Sequence, residues 1–337
     1  MKFYRIFGKA VLVAVVLMIA VSAASAKGRK FGLFVGINKY QDGIHPLSGC
    51  VNDATKMRDT LVKKFGFKLA DTTLLTDADA TRANILAKLK MYQGLARKGD
   101  IFVFHYSGHG TLFPDKYSEF QDETETVYME APDDDGKMEV IYPRDKYDSA
   151  ICPVDSRSTT SGKPWRNIIL DDELYEMFSG FTQKGAKVDL ISDSCHSGTI
   201  ARAGASDKAR RKTEFLATVF GAARFSDLKF DAPSTRANKV IIPPVKGLYI
   251  SLSGAKDNEF SLDADDKGVP MGLFTLNLLR ALNGVGGTKL TYSKLITKVA
   301  PSVSKEAKDE YDNDQNPQLG SEFGNAKALV FSAPVVK

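Results

Sequence analysis

Two stretches decide the fold: IFVFHYSGHG, residues 101–110, and VDLISDSCHSG, residues 188–198. Each opens as an apolar run, Ile101–Tyr106 and Val188–Ser192, and then breaks into small polar residues and glycine. That is the pattern of a buried strand running into a tight turn. The runs Phe31–Ile37, Leu248–Leu252 and Ala328–Phe331 read as further strands. Between them, Val51, Ala54, Met57, Leu61 and Phe65 recur at helical spacing, as do Ile85, Leu86, Leu89 and Leu95 behind a capping Thr81. Buried strands alternating with helices predict an α/β fold, with a mostly parallel central sheet and helices on both faces.

In such a sheet, ligands bind in the crevice just outside the carboxyl ends of the strands. Ser107-Gly108-His109-Gly110 and Asp193-Ser194-Cys195-His196-Ser197-Gly198 follow two of those ends, so His109 and Cys195 are expected on neighbouring strands facing one cleft. A thiol with an imidazole in reach is a nucleophile with its base, suited to attack on a carbonyl. The backbone N–H groups of Gly110 and Cys195 are the expected donors to the tetrahedral oxyanion. His105 lies four residues before His109. Their side chains diverge across a strand end, so His105 reads as a buried strand residue rather than a metal ligand. His196 reads as pointing away from the cleft.

The rest of the chain sets the context. Its 337 residues are 43% hydrophobic and 26% charged, an ordinary globular composition that excludes collagenous, coiled-coil and disordered classes. Lys2, Arg5 and Lys9 precede an apolar run, Ala10–Val21, and the small residues Ser22–Ala26. This predicts a signal peptide over residues 1–26, cut near Ala26, and a secreted or periplasmic protein. The apolar run is too short for a stable membrane span, which takes about 20 residues. Without those three cations, 43 Lys and Arg face 41 Asp and Glu, a balance that gives no support for a nucleic-acid partner. Three cysteines, Cys50, Cys152 and Cys195, are too few for a disulfide scaffold. Phe113–Asp148, polar and acidic with Asp133–Asp135 inside it, and Arg202–Lys239, rich in Lys and Arg, read as long surface excursions. Gly32 and Gly36 have the wrong spacing for a dinucleotide-binding turn.

Longer words carry a resemblance. FVGINKY (34–40), LSGCVNDA (47–54), YSGHG (106–110), ICPVD (151–155), ILDDEL (169–174), DSCHSG (193–198) and, more weakly, SLSGA (251–255) occur in this order. The chain resembles the metacaspase branch of the caspase-like cysteine peptidases over most of residues 30–331. The resemblance implies a caspase-like (caspase-haemoglobinase) fold, with His109 and Cys195 at the family's catalytic dyad and a thioester acyl-enzyme. It also implies an acidic S1 pocket selecting Arg or Lys, at Cys50, Asp53, Ser107 and Asp193. Physical chemistry points the same way, because a desolvated carboxylate at Asp193 pairs with a guanidinium or ammonium and rejects an acid. Cys50, lining such a pocket, is expected to be reduced, and pairing between Cys50 and Cys152 is otherwise left open.

The same resemblance divides a peptidase domain, residues 27–337, into a large-subunit-like part (27–201), a basic linker (202–239) and a small-subunit-like part (240–337). The linker is the expected site of self-cleavage. The chemistry requires no cofactor, and calcium is the ion the resemblance implies, at Asp148, Asp171 and Asp172. Two features depart from the family pattern: Arg202 stands where an acidic residue is expected, and Phe113–Asp148 replaces a compact acidic loop. The competing reading makes Asp171-Asp172-Glu173 the acidic start of a helix over Glu173–Phe178. The function implied is a cysteine endopeptidase, a monomer acting on protein or peptide substrates after Arg or Lys. The alternative is a catalytically silent caspase-like module for binding or scaffolding.

Overall fold

The computed structural model describes residues 28–41, 44–114, 147–156, 167–194, 245–256, 259–320 and 324–334. The leader with its cut near Ala26, the linker 202–239 with Arg202, Cys195, His196 and the Asp133–Asp135 run lie outside these residues. In chain order the elements are β1 (Lys30–Gly36), α1 (Cys50–Phe65), β2 (Thr72–Thr76), α2 (Arg82–Leu95), β3 (Ile101–Ser107), β4 (Gly110–Pro114), β5 (Tyr147–Ile151), β6 (Ile169–Leu170), α3 (Asp171–Gln183), β7 (Lys187–Asp193), β8 (Tyr249–Ser253), β9 (Asp263–Asp266), β10 (Val269–Gly272), α4 (Leu273–Asn283), α5 (Tyr292–Tyr311) and β11 (Gln318–Gly320).

Six strands form the central sheet in the order β11-β8-β7-β3-β1-β2, parallel throughout except for β11. Successive side chains of a strand point to opposite faces, and here each face has its own helices. Phe31, Leu33 and Val35 of β1, with Phe102, Phe104 and Tyr106 of β3, pack beneath Ile85 and Leu89 of α2 and Phe178 and Phe181 of α3. Phe34 and Val103 face the other way, onto Met57 and Leu61 of α1, Leu278 and Leu282 of α4, and Val299 and Val303 of α5. Burial on both sides explains why these strands read as unbroken apolar runs. The mostly parallel α/β architecture expected from the sequence is the one observed.

Helix boundaries follow local chemistry. Thr81 caps α2 by accepting the Asn84 N–H at 3.2 Å, and Gly66, left-handed at φ 73°, ends α1. The helix expected over Glu173–Phe178 is longer, Asp171–Gln183, with Asp171, Asp172 and Glu173 in its first turn.

Three features differ from the sequence reading. Ala328–Phe331 is not a strand: Leu329 makes only an isolated bridge to Thr291, and Phe331 adopts φ 52°. Its apolar character comes from burial in a turn, with Phe331 in the core of the α4–α5 face, and a short apolar run cannot reveal that distinction. β2 was not anticipated, because Thr72–Thr76 is an edge strand with four of its five residues half-buried. The Phe113–Asp148 excursion begins and ends inside a ladder, where Phe113 pairs with Asp148 and Pro114 with Tyr147 between β4 and β5. Among the described residues, no helix is long and apolar enough to cross a membrane.

Candidate active site

The carboxyl ends of β1, β3 and β7 lie side by side, with Gly36 opposite Ser107 and Ser107 opposite Asp193. The chain leaves β1 for β2 on one side and returns to β3 on the other, so the crevice between β1 and β3 is the switch point where α/β sheets bind ligands. α1 starts directly above it. Gly36 allows this, since a Cβ there would lie 2.3 Å from the Cys50 carbonyl oxygen. Gly49, at the α1 N-cap, has no side chain to offer, and Asn38 caps in its place. Its Oδ1 accepts the N–H groups of Cys50 and Val51 at 2.9 and 3.3 Å, and its Nδ2 donates to Ser48 O at 3.0 Å.

This geometry brings Asp53, Ser107 and Asp193 to one place. Asp53 and Asp193 are both 0% exposed, and buried carboxylates are tolerated only when hydrogen-bonded. Asp53 accepts the Ser107 hydroxyl at 2.7 Å and the Gly272 N–H at 2.9 and 3.0 Å. Asp193 accepts the Ser261 hydroxyl at 2.5 Å, the Thr275 N–H at 2.9 Å and the Thr275 hydroxyl at 2.6 Å. Cys50 sits one turn before Asp53, fully buried. Cys50 and Cys152 are thiols, not bridged to each other.

His109 follows β3 by two residues and is 1% exposed. Its Nε2 lies 2.8 Å from the carbonyl oxygen of His45. A carbonyl only accepts, so Nε2 carries the hydrogen and Nδ1 is the basic nitrogen of the neutral ring. Two tyrosines hold the backbone of His109. Its N–H donates to the Tyr40 hydroxyl at 2.8 Å, and its carbonyl accepts the Tyr106 hydroxyl at 2.7 Å and the Cys152 N–H at 3.0 Å. The Tyr40 ring packs 4.8 Å from the imidazole. Burial, reinforced by the neighbouring Tyr106, Cys50 and Cys152, pushes the Tyr40 phenol well above its ordinary range, and burial does the same to Tyr106. Both remain neutral hydroxyls. Gly108 makes room for them, because a Cβ there would lie 2.6 Å from the Tyr40 oxygen and 2.7 Å from that of Tyr106.

The other candidate positions fall elsewhere or beyond view. β7, which leads to Cys195, is the hydrogen-bonded neighbour of β3, which leads to His109; Cys195 itself, two residues past Asp193, lies outside the described residues. Gly110 is the first residue of β4. His105 is buried inside β3, its ring 6.3 Å from that of Phe34. Asp171 and Asp172 begin α3, where Asp171 Oδ1 accepts the Asp172 N–H at 3.1 Å. Asp148 belongs to β5, whose Ala150 pairs with Leu170 of β6 immediately before α3. Among the described residues, no three His, Cys, Asp or Glu side chains converge as a metal-binding group. A cavity of about 240 Å³ beside Tyr106, Asp171, Ser192 and Tyr249 lies on the α3 face, away from the two buried carboxylates.

Sequence reasoning did not single out Tyr40, the His45 carbonyl, Ser261, Gly272 or Thr275. Tyr40 closes a quoted motif, a signal that could have drawn attention to it. A backbone carbonyl carries no sequence mark, and Ser261 and Thr275 belong to none of the motifs.

The model of the metacaspase peptidase C14 domain matches residues 30–203. The chain is 28% identical over 327 residues to Metacaspase-1 of Cryptococcus neoformans var. neoformans serotype D, across 87% of this chain and 62% of that protein. It is also 28% identical over 328 residues to Metacaspase-1 of Ajellomyces capsulatus, across 88% of this chain and 80% of that protein. The chain thus spans less than two thirds of the Cryptococcus relative's length. Among solved structures, a Geobacter sulfurreducens protein aligns with a TM-score of 0.59 at 24% identity, covering 90% of this chain and 99% of that one. Caspase-1 from Spodoptera frugiperda aligns with a TM-score of 0.50 at 14% identity, covering 92% of each. At these identities the likeness is one of fold, and the fold is caspase-like.

Proposed function

The chain belongs to the metacaspase family of C14 cysteine peptidases, and we propose that it is an endopeptidase cleaving after Arg or Lys, with Cys195 as nucleophile and His109 as base. The observation that carries this reading is the pair of fully buried carboxylates, Asp53 in the first turn of α1 and Asp193 at the end of β7, beside the end of β3, the strand that leads to His109. A substrate guanidinium or ammonium supplies the charge such a pair accepts. In the first step, His109 Nδ1 takes the thiol proton and the sulfur bonds to the scissile carbonyl carbon. The oxyanion is received by the N–H groups of Gly110 and Cys195. His109 then returns its proton to the leaving amine as the C–N bond breaks, leaving a thioester. Water, deprotonated by His109, attacks the thioester and releases the acid and the thiol.

Calcium, if bound, would be held by the hard oxygen donors of Asp148, Asp171 and Asp172, and no step runs through it. Asp171 already serves the helix start by accepting the Asp172 N–H, so calcium has to compete with a capping role. Activity across a calcium titration, with Asp171→Ala/Asp172→Ala as control, decides between the two. Export with cleavage near Ala26 is proposed likewise and is read from the N-terminus of the mature protein by mass spectrometry.

The deciding experiment compares wild type with Cys195→Ala and Asp193→Asn on matched fluorogenic peptides ending in Arg, Lys or Asp. Cys195→Ala abolishes turnover while folding normally. Asp193→Asn lowers kcat/KM on Arg peptides by more than about tenfold, since unpairing a buried charge costs about 2–5 kcal/mol. Undiminished turnover in Cys195→Ala refutes the mechanism. A wild type that folds yet turns over none of the peptides favours the silent binding module.

A further inference from the structure

Asp193 cannot recognise a cation well unless its carboxylate is held in one plane, and the groups that hold it come from a distant part of the chain. Its Oδ2 receives both the N–H and the hydroxyl of Thr275, at 2.9 and 2.6 Å, and its Oδ1 receives the Ser261 hydroxyl at 2.5 Å. Thr275 is the third residue of α4, so its N–H is one of the donors that a helix start leaves without an intrahelical acceptor. The positive end of the helix dipole favours an anion at the same point. Gly272, the α4 N-cap, gives its N–H to Asp53. One helix start therefore serves both carboxylates.

Ser261 is oriented in turn. Gln315, 0% exposed, donates from Nε2 to Ser261 Oγ at 3.2 Å and to Gly254 O at 2.9 Å, while its Oε1 accepts the Leu262 N–H at 3.1 Å. A hydroxyl has a single hydrogen. With one of its two lone pairs receiving Gln315, Ser261 gives that hydrogen to Asp193. The carboxylates precede the basic segment 202–239, whereas Ser261, Gly272, Thr275 and Gln315 all follow it.

We propose that Thr275 and Ser261, with Gln315 behind Ser261, are positioning residues that fix the Asp193 carboxylate and thereby set the preference for a basic substrate side chain. The inference rests on the basic-substrate reading above and extends it to groups outside the recognised motifs. The two halves of the chain build one pocket together, the first supplying the charge and the second the donors that orient it.

The test uses the full chain and matched peptides ending in Arg or in citrulline, its neutral isostere. Wild type is compared with Thr275→Val, which keeps the shape and the N–H but loses the hydroxyl, with Thr275→Ser, which restores it, and with Ser261→Ala. A charge-assisted bond in a buried site carries about a tenfold to hundredfold effect. Thr275→Val lowers kcat/KM for the Arg peptide by about tenfold or more, chiefly through KM, and changes the citrulline value by less than about threefold. Thr275→Ser recovers most of the loss, and Ser261→Ala shifts the Arg-to-citrulline ratio in the same direction. An equal fall on both peptides, or no fall on Arg, overturns the inference and leaves the peptidase reading standing. A wild type without basic preference removes the reading itself, and this inference with it.

Discussion

Replacing Tyr40 by Phe deletes the acceptor of the His109 N–H, 2.8 Å away, and leaves the aromatic ring that packs 4.8 Å from the imidazole. Bulk solvent does not reach the stranded donor, because His109 is 1% exposed. Stranding a buried donor costs about 1–3 kcal/mol. For a domain this large that lowers Tm by about 2–4 °C per kcal/mol. The effect on turnover comes through position. The Tyr106 hydroxyl still holds the carbonyl of His109 at 2.7 Å, so the residue pivots rather than leaves. A displacement approaching 1 Å of a reacting group costs up to about a hundredfold. We expect kcat on an Arg peptide to fall about tenfold or more with KM changed less than about twofold, since Asp53 and Asp193, the carboxylates proposed to receive the basic side chain, are untouched. Steady-state kinetics and a thermal melt on the same preparation read both effects. A lowered Tm with unchanged kcat refutes the positioning argument and leaves the hydroxyl a purely structural role.

Gly108→Ala drives a Cβ to 2.6 and 2.7 Å from the Tyr40 and Tyr106 oxygens. It should cost about 1–3 kcal/mol in denaturant titration and lower turnover together with Tyr40→Phe, not independently of it. Lys187 and Asp189, with side chains 4% and 1% exposed, form a buried ion pair at 3.1 Å that Tyr292 completes by donating to Asp189 at 2.8 Å. Lys187→Met strands the carboxylate and should destabilise by about 3–5 kcal/mol, while Lys187→Met/Asp189→Leu recovers much of the loss. Activity at low temperature is expected to survive in both, because the pair sits at the end of β7 remote from Asp193. Burial raises the phenols of Tyr40, Tyr106, Tyr249 and Tyr292. The unfolded chain therefore loses these protons first, near pH 10, and the stability they contribute is intact below that pH and lost as pH rises. Tyrosinate absorbance of these four should appear in step with loss of near-UV circular dichroism, and a gradual rise in folded protein would contradict the burial.

The α/β class, the two helices at 50–65 and 82–95 and the strand ends at Ser107 and Asp193 were legible because each is written locally. Unbroken apolar runs, apolar residues at a period of 3.6, a capping Thr81 and glycine-broken strand ends act over a few residues and need no partner to be recognised. Phe331 shows the limit of that reading, since its place in the core belongs to a turn that local hydrophobicity cannot distinguish from a strand. The arrangement around the site was decided by tertiary structure. Asp193 meets Thr275 across 82 residues, and His109 meets the His45 carbonyl across 64 and the Tyr40 hydroxyl across 69. Whether such groups meet depends on strand order, on the face a helix turns inward and on backbone atoms that every residue shares. The sequence by itself therefore determined the fold class and which side chains are candidates for the chemistry. The packed sheet and the start of α4 decided what holds them, because a donor and an acceptor bond only when their positions and directions match, and the identity of neither residue sets those.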